Sequence, residues 1–269
     1  MPIHKDELPE FDAAPLNEVV LGVQFQTPRN FDQIKAFEVW QLYADRFSVV
    51  RDQMPMAPQF EMFGASQPQH FTINLAGAPQ SRFWFESKMG DQLIQFQHDR
   101  LFHNWRKVDA EGTEYPRFES IITQFEAELR ELERYFQRLG NERLFVTQCE
   151  LSYLNNILVT DEPAAITPQK WLTFVNQDQW PVEEFSYFAR RALHRDDGQP
   201  YGRFYRESAT GVDRFGRRII LLNLTARGLV APNDIAGTLD FLNEHRYMIT
   251  DEFIDGTTAE AQKIWKRIR

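Results

Sequence analysis

Cysteine is almost absent from this sequence: Cys149 is the single one among 269 residues. An intrachain disulfide is therefore excluded, and so is any zinc site built from paired cysteines. A chain without disulfides fits a reducing compartment. Cys149 stands in the apolar run "LFVTQCELSYL", which is typical of a buried thiol and not of a nucleophile.

Long apolar runs and the common catalytic motifs are missing as well. No stretch approaches the roughly 20 apolar residues of a membrane span, and the opening "MPIHKDELPEF" contains no apolar segment of a signal peptide. We therefore expect a cytoplasmic protein without membrane contact. GxGxxG, P-loop, GxSxG and HExxH patterns do not occur. On this basis no catalytic residue, no metal and no cofactor is predicted.

Two histidine segments are weak candidates for chemistry. His98 and His103 lie in one hairpin with an aspartate, but their spacing does not guarantee the geometry of a metal site. His194, beside Asp196 and Asp197 in "LHRDDGQP", is more typical of a solvated turn than of an acid–base pair.

Aromatic residues are plentiful, and charge is unevenly distributed. With 42% hydrophobic residues and 23 Phe, the chain can bury a large core. The net charge of −9 disfavours nucleic acid, whose binding depends on neutralising phosphates. Residues 183–227 hold nine Arg against six acids, whereas residues 1–62 hold ten acids against five bases. The arginine-rich part either receives an acidic partner or phosphate, or complements the chain's own acidic part.

The first half of the chain predicts a strand, a short helix, a meander and a long helix. Residues 15–25 alternate like a strand, and Asn30 with Gln33 forms a capping box for a helix. An antiparallel meander over residues 70–108 follows. Gly140 is expected to end the long helix, whose apolar face consists of Phe118, Ile121, Ile122, Phe125, Leu129, Leu132, Phe136 and Leu139.

The second half repeats this order. A strand over 143–159 precedes a helix with Thr167 as its N-cap, and three strands over 183–230 lead to a helix over 233–253. Thr257 and Glu260 form a capping box for a last short helix.

Two similar seven-residue segments suggest an internal duplication. "SRFWFES" (81–87) returns as "GRFYRES" (202–208), and Trp40 and Trp171 fall at corresponding places. The sequence therefore predicts an α+β protein with an N-terminal tail (1–14) and two β-α-β(3-4)-α repeats (15–140 and 141–269). In each repeat a long helix covers an antiparallel sheet. A saddle like that of the TATA-binding protein fits this order, and a helix-grip arrangement is the alternative.

The repeated strand is similar on both of its faces. Strand alternation puts Phe83 and Phe204 in the core. The outward residues are Arg82, Trp84 and Glu86 in the first strand and Arg203, Tyr205 and Glu207 in the second. Cross-strand pairs on an exposed sheet would explain these triplets. A surface that binds a partner is the other interpretation, because Trp, Tyr and Arg are common interface anchors.

Three stretches carry a family resemblance: "PLNEVVLGVQF", "QFQHDRLFHNWRK" and "LSYLNNI". Their P-L-x-E-V-V-x-G-V-x-F, D-R-x-x-x-N-W-R and Y-x-N patterns resemble a sporadically distributed, uncharacterised family of bacteria and archaea. The family's patchy distribution implies mobile genes, where defence, antitoxin and accessory proteins concentrate. From the residues alone, Asn-Trp-Arg also fits a structural role. The residues that match the motifs are Asn104, Trp105, Arg106, Tyr153 and Asn155.

The function that these patterns favour is a non-catalytic interaction module. Its outer sheet face or the groove between the repeats would hold a protein partner, either another protein or a second copy in a homodimer. A small-ligand-binding protein or enzyme with a pocket under a long helix is the alternative. Nucleic-acid binding by the saddle is a further alternative that the net charge disfavours.

Overall fold

The computed structural model describes residues 8–57, 59–63, 81–108, 113–159, 166–175 and 182–268. The strands in these ranges are β1 (Leu16–Phe25), β2 (Val49–Gln53), β3 (Arg82–Glu86), β4 (Gln92–Gln97), β5 (Arg100–Arg106), β6 (Val146–Leu158), β7 (Ser186–His194), β8 (Pro200–Val212) and β9 (Arg218–Gly228). The helices are α1 (Ala36–Gln41), α2 (Phe118–Gly140), α3 (Ile235–Gly256) and α4 (Ala259–Ile264). The strand predicted at "HFTINLAG" (70–77) lies outside the described residues.

One antiparallel sheet of nine strands contains both halves of the chain, in the order β2-β3-β4-β5-β1-β6-β9-β8-β7. The sheet is continuous because β1 pairs with β6 along its whole length, with Leu21 opposite Leu151. Each half was predicted to contain an antiparallel sheet under a long helix; the two parts form one sheet because the first strands of the halves meet at its centre. The fold is α+β, as predicted.

The two similar strands occupy different positions in the sheet. Counting outwards from the central pair, β3 is the fourth strand on its side and β8 is the third on the other. The expectation that they are equivalent in the sheet is wrong. Two strands, β4 and β5, follow β3 before its long helix, whereas β9 alone follows β8.

Both long helices cover the same face of the sheet. His103 on β5 contacts Glu128 on α2, and Cys149 on β6 contacts Thr238 on α3. Val19, Leu21 and Val23 of β1 alternate towards this side and are fully buried. The other side carries no helix in the described ranges, and we call it the helix-free face. None of the described helices is long and apolar enough to cross a membrane.

The long helices match their sequence patterns closely. The predicted apolar face of α2 is buried or partly buried throughout. Gly140 belongs to the helix, and Asn141, with φ of 55°, ends it because asparagine tolerates the left-handed conformation. On α3 the side chain of Asp234 caps the N-terminus by accepting from the Gly237 amide. The cap of α4 is Thr258 and not the predicted Thr257.

The short helices differ more from their predictions. The first starts as a 3-10 turn at Gln33–Lys35, and the Asn30 amide donates to the Leu139 carbonyl at 3.3 Å instead of capping it. The second is a single 3-10 turn at Pro168–Lys170, and Thr167 makes no side-chain cap. At Asn30 a tertiary contact thus replaces the predicted capping bond.

Candidate functional site

Side chains from separate sequence motifs meet on the helix-free face. Trp84 lies opposite Gln95, which lies opposite Phe102 on β5. Since His103 next to Phe102 contacts α2, alternation puts this row on the other side of the sheet. The group that meets there, which we call the Trp84 cluster, consists of Glu18, Arg82, Trp84, Glu86, Gln95, Asn104 and Arg106.

A chain of hydrogen bonds runs through this cluster. Gln95 Oε1 accepts from Arg82 Nη1 at 2.7 Å and from Trp84 Nε1 at 3.2 Å. Gln95 Nε2 then donates to Asn104 Oδ1 at 3.0 Å, and Asn104 Nδ2 donates to Glu18 Oε1 at 2.6 Å. Burial raises the pKa of Glu18, although the Asn104 hydrogen bond opposes it. Each side chain in this series of hydrogen bonds is therefore oriented by its neighbour.

Cations flank the Trp84 ring on the same face. The guanidinium carbons of Arg82 and Arg106 lie 5.6 and 5.7 Å from the ring centroid, within the range of cation–π attraction. Glu86 accepts from Arg51 at 2.8 Å and from Arg106 at 3.2 Å. Burial would raise the pKa of Glu86, but these two hydrogen bonds outweigh it and lower the pKa.

The second triplet, which begins at Arg203, also lies on the helix-free face, but in the other half of the strand order. Two of its side chains contact Glu61. The Tyr205 hydroxyl donates to Glu61 Oε1 at 2.6 Å, Arg203 pairs with the same carboxylate, and Arg227 lies 3.6 Å from it. Burial and the Glu61 hydrogen bond raise the pKa of Tyr205 to about 12. We call these four residues the Glu61 cluster. Glu207 is exposed and lies outside it.

The structure divides the residues that carry the sequence resemblance between the two faces. Asn104 and Arg106 belong to the Trp84 cluster. Trp105 is buried on the helix side, with its ring 5.1 Å from that of Tyr115. Tyr153 shares that side, because it and Trp105 both lie opposite Val19, and burial raises its pKa. Asn155 is buried and donates to the Leu222 carbonyl at 3.0 Å.

A segment that the sequence patterns did not predict crosses the helix-free face. Residues 54–57 and 59–63, which we call the strap, contact side chains from β4, β5, β1, β6, β8 and β9. The signal was present as a glutamine near one end of three strands, in "VQF", "FQH" and "TQC". These residues are Gln24, Gln97 and Gln148, and all three are buried.

The residues considered for chemistry are dispersed. His103 Nδ1 bonds the Glu128 carboxylate at 2.9 Å beneath α2, whereas His98 is half-buried and burial lowers its pKa. Cys149 is buried, which raises the pKa of its thiol to about 12. Among the described residues no group of three or more His, Cys, Asp or Glu could hold a metal ion.

A groove of about 1120 Å³ lies at one end of the sheet, next to Arg106. The ends of β1, β5, β6, β9 and α4 and the β8–β9 turn line it. Lys107 after β5 and Arg214 and Phe215 in the turn are among the lining residues. Neither α2 nor α3 contributes to this lining. The groove is therefore a different feature from the pocket under a long helix that the sequence suggested.

No protein-family model matches the chain, and neither a curated protein nor a solved structure is significantly similar to it.

Proposed function

We propose that this chain is a non-catalytic protein-binding module whose helix-free face holds a protein partner. The observation that carries the proposal is the convergence of Arg82, Trp84 and Glu86 with Asn104 and Arg106 in one hydrogen-bonded cluster on that face. A half-buried tryptophan fixed between guanidinium groups is the kind of rigid anchor that dominates protein interfaces. Arg203 and Tyr205 extend the same surface across the sheet.

The charge arrangement favours protein over nucleic acid. Arg106 is already paired with Glu86, and Arg203 and Arg227 are paired with Glu61. Cations that are neutralised internally release few counterions from a phosphate backbone. A protein partner with its own mixture of aromatic and acidic groups suits such a face better.

We also propose the finer fold: a saddle that arose by internal duplication. The order of strands outwards from the β1–β6 pair supports it, because β5, β4 and β3 on one side match β9, β8 and β7 on the other. A long helix ends each set. The family resemblance supports an accessory, antitoxin or defence-type role within a mobile gene system, which the identity of the partner would test.

The experiment is affinity capture of the partner from the native host, followed by titration against single variants. Trp84→Ala and Tyr205→Ala should each weaken binding by about 2 kcal/mol, or roughly thirtyfold. Phe37→Ala is the matched control, because Phe37 is an exposed aromatic on α1, at the helix side of the sheet. Equal affinity of all three variants would place the interface elsewhere and refute the proposal.

A further inference from the structure

The strap is held through its main chain by buried side chains of the sheet. Gln97 makes two bonds to one residue: its Oε1 accepts from the Met56 amide at 2.9 Å and its Nε2 donates to the Met56 carbonyl at 3.1 Å. Arg100 Nη1 donates to the Ala57 carbonyl at 3.2 Å. Both sheet residues are at least 97% buried.

Two further glutamines form hydrogen bonds with main-chain groups further along the strap. Gln24 and Gln148 both donate to the Gln59 carbonyl, and Gln148 Oε1 accepts from the Glu61 amide at 2.9 Å. A buried amide must find partners or lose much free energy. Because these partners are main-chain groups, the three glutamines would accept an extended segment of almost any sequence.

The strap side chain that the sheet contacts most closely is the carboxylate of Glu61. It lies among Arg203, Arg227 and the Tyr205 hydroxyl, and Arg203 also donates to the Met62 carbonyl at 2.6 Å. Arg203, the Tyr205 phenol and Arg227, which Glu150 holds at 2.6 Å, form a specific site for a carboxylate.

Little apolar surface holds the strap in place. Met54, Phe60 and Met62 are 81%, 62% and 64% exposed, so three of its five large apolar side chains lie outside the contact with the sheet. Met56 is partly buried, and the Phe63 ring packs against Arg203 with 4.6 Å between the ring centroid and the guanidinium carbon. Hydrogen bonds alone contribute modestly, because water replaces them when the segment leaves. The strap is therefore suited to exchange.

We infer that the row formed by Gln97, Arg100, Gln24 and Gln148, with the carboxylate site beyond it, is a peptide-binding cradle that the strap occupies in the isolated chain. Its other occupant is an extended segment of a partner protein that carries a glutamate or aspartate for Arg203, Arg227 and Tyr205. This inference rests on the proposed function and adds the chemistry of the partner. The chain's own strap and the segment of the partner compete for the same hydrogen bonds.

The test uses a fluorescently labelled peptide of residues 54–63, MPMAPQFEMF, and the full-length chain. Glu61→Gln weakens the chain's own strap, so it should bind the peptide about tenfold or more tighter than wild type. Met56→Pro removes the N–H group that donates to Gln97 Oε1, so this variant should also bind the peptide more tightly than wild type. It replaces the first variant if that one fails to fold. A peptide with glutamine in place of its glutamate should bind each chain about tenfold more weakly. Glu126→Gln, a change at a partly exposed position on α2, is the matched control, and this variant should bind the peptide as wild type does.

Failure of both variants to bind the peptide saturably, or equal binding of the glutamate and glutamine peptides, would overturn the inference. Dimerisation of the variants without peptide binding would also overturn it, in favour of strap exchange between two copies. The proposed function is judged separately by the Trp84→Ala titration, which does not touch the cradle. Loss of partner binding there, with no peptide binding here, would refute the cradle alone.

Discussion

The Tyr205 hydroxyl donates a hydrogen bond to the Glu61 carboxylate at 2.6 Å although 144 positions separate the two residues in the sequence. The Glu61 side chain is 3% exposed, and Arg203 and Arg227 lie beside it. This contact joins the acidic first part of the chain to the arginine-rich second part. At this site the arginines complement the chain's own acid, one of the two interpretations that the charge distribution left open.

Removing this carboxylate should destabilise the fold. Glu61→Ala leaves the Tyr205 hydroxyl without its acceptor and Arg203 without its carboxylate, whereas Arg227 keeps its pair with Glu150 at 2.6 Å. We expect a loss of about 1–3 kcal/mol in the free energy of unfolding. Glu207→Ala, an exposed change on the same strand as Tyr205, should cost within about 0.5 kcal/mol. Urea denaturation measures both, and equal costs would show that the strap contact adds nothing to stability.

Loss of the Glu128 carboxylate, on the buried side of α2, should lower the free energy of unfolding by more than loss of the Glu61 carboxylate. Glu128 is fully buried, where it bonds His103 at 2.9 Å and Arg46 at 2.6 Å. Glu128→Ala should cost about 3–5 kcal/mol, the range for breaking a buried pair, and Glu128→Gln should cost less because an acceptor oxygen remains. Glu126→Ala removes only an exposed pair with Arg130 and should cost under about 1 kcal/mol. A Glu128→Ala variant as stable as Glu126→Ala would contradict this account.

Stability should fall in mild acid because of His245. Its Nδ1 bonds the Phe241 carbonyl at 2.7 Å and its Nε2 bonds the Tyr201 hydroxyl at 2.9 Å. Burial lowers the pKa of His245, against the opposing effect of the Phe241 carbonyl. The unfolded chain then takes up a proton first, below about pH 6.5, so stability is full above that pH and is lost as pH falls towards the lower folded pKa.

Denaturation at a series of pH values checks this. His245→Gln should flatten the slope of stability between pH 6.5 and the folded pKa, while His194→Gln, at an exposed position, should leave the slope as in wild type. An unchanged slope in His245→Gln would assign the acid sensitivity to other groups, such as the half-buried His98.

Much of the fold follows from periodicity in the sequence. The alternation of "SRFWFES" predicted that Phe83 faces the core and Trp84 the other side, and the register of β3 with β4 confirms it. The apolar stripe of α2 is equally well predicted. Both patterns reflect burial on one side of a regular element, which sequence records at every second or every third to fourth residue.

The features that the sequence did not predict depend on contacts between residues that are distant in the sequence. The similar segments in β3 and β8 do not indicate where these strands lie in the sheet. Their positions depend on how many strands follow each of them before the long helix. The strap was missed since its contacts come from Gln24, Gln97 and Gln148 on three strands, and a single glutamine in a strand has no periodic signal. The Trp84 cluster was predicted only as separate pieces, one in "SRFWFES" and one in the Asn-Trp-Arg stretch at 104–106.

Radical footprinting of side chains in the captured complex tests the central claim most directly. Oxidation depends on exposure, and Phe188 on the helix-free side of β7 and Phe37 on α1 are 60% and 59% exposed in the free chain. If the partner binds the helix-free face, oxidation of Trp84 and Phe188 should fall severalfold on binding while that of Phe37 stays unchanged. Protection of Phe37 with undiminished oxidation of Trp84 and Phe188 would contradict the account.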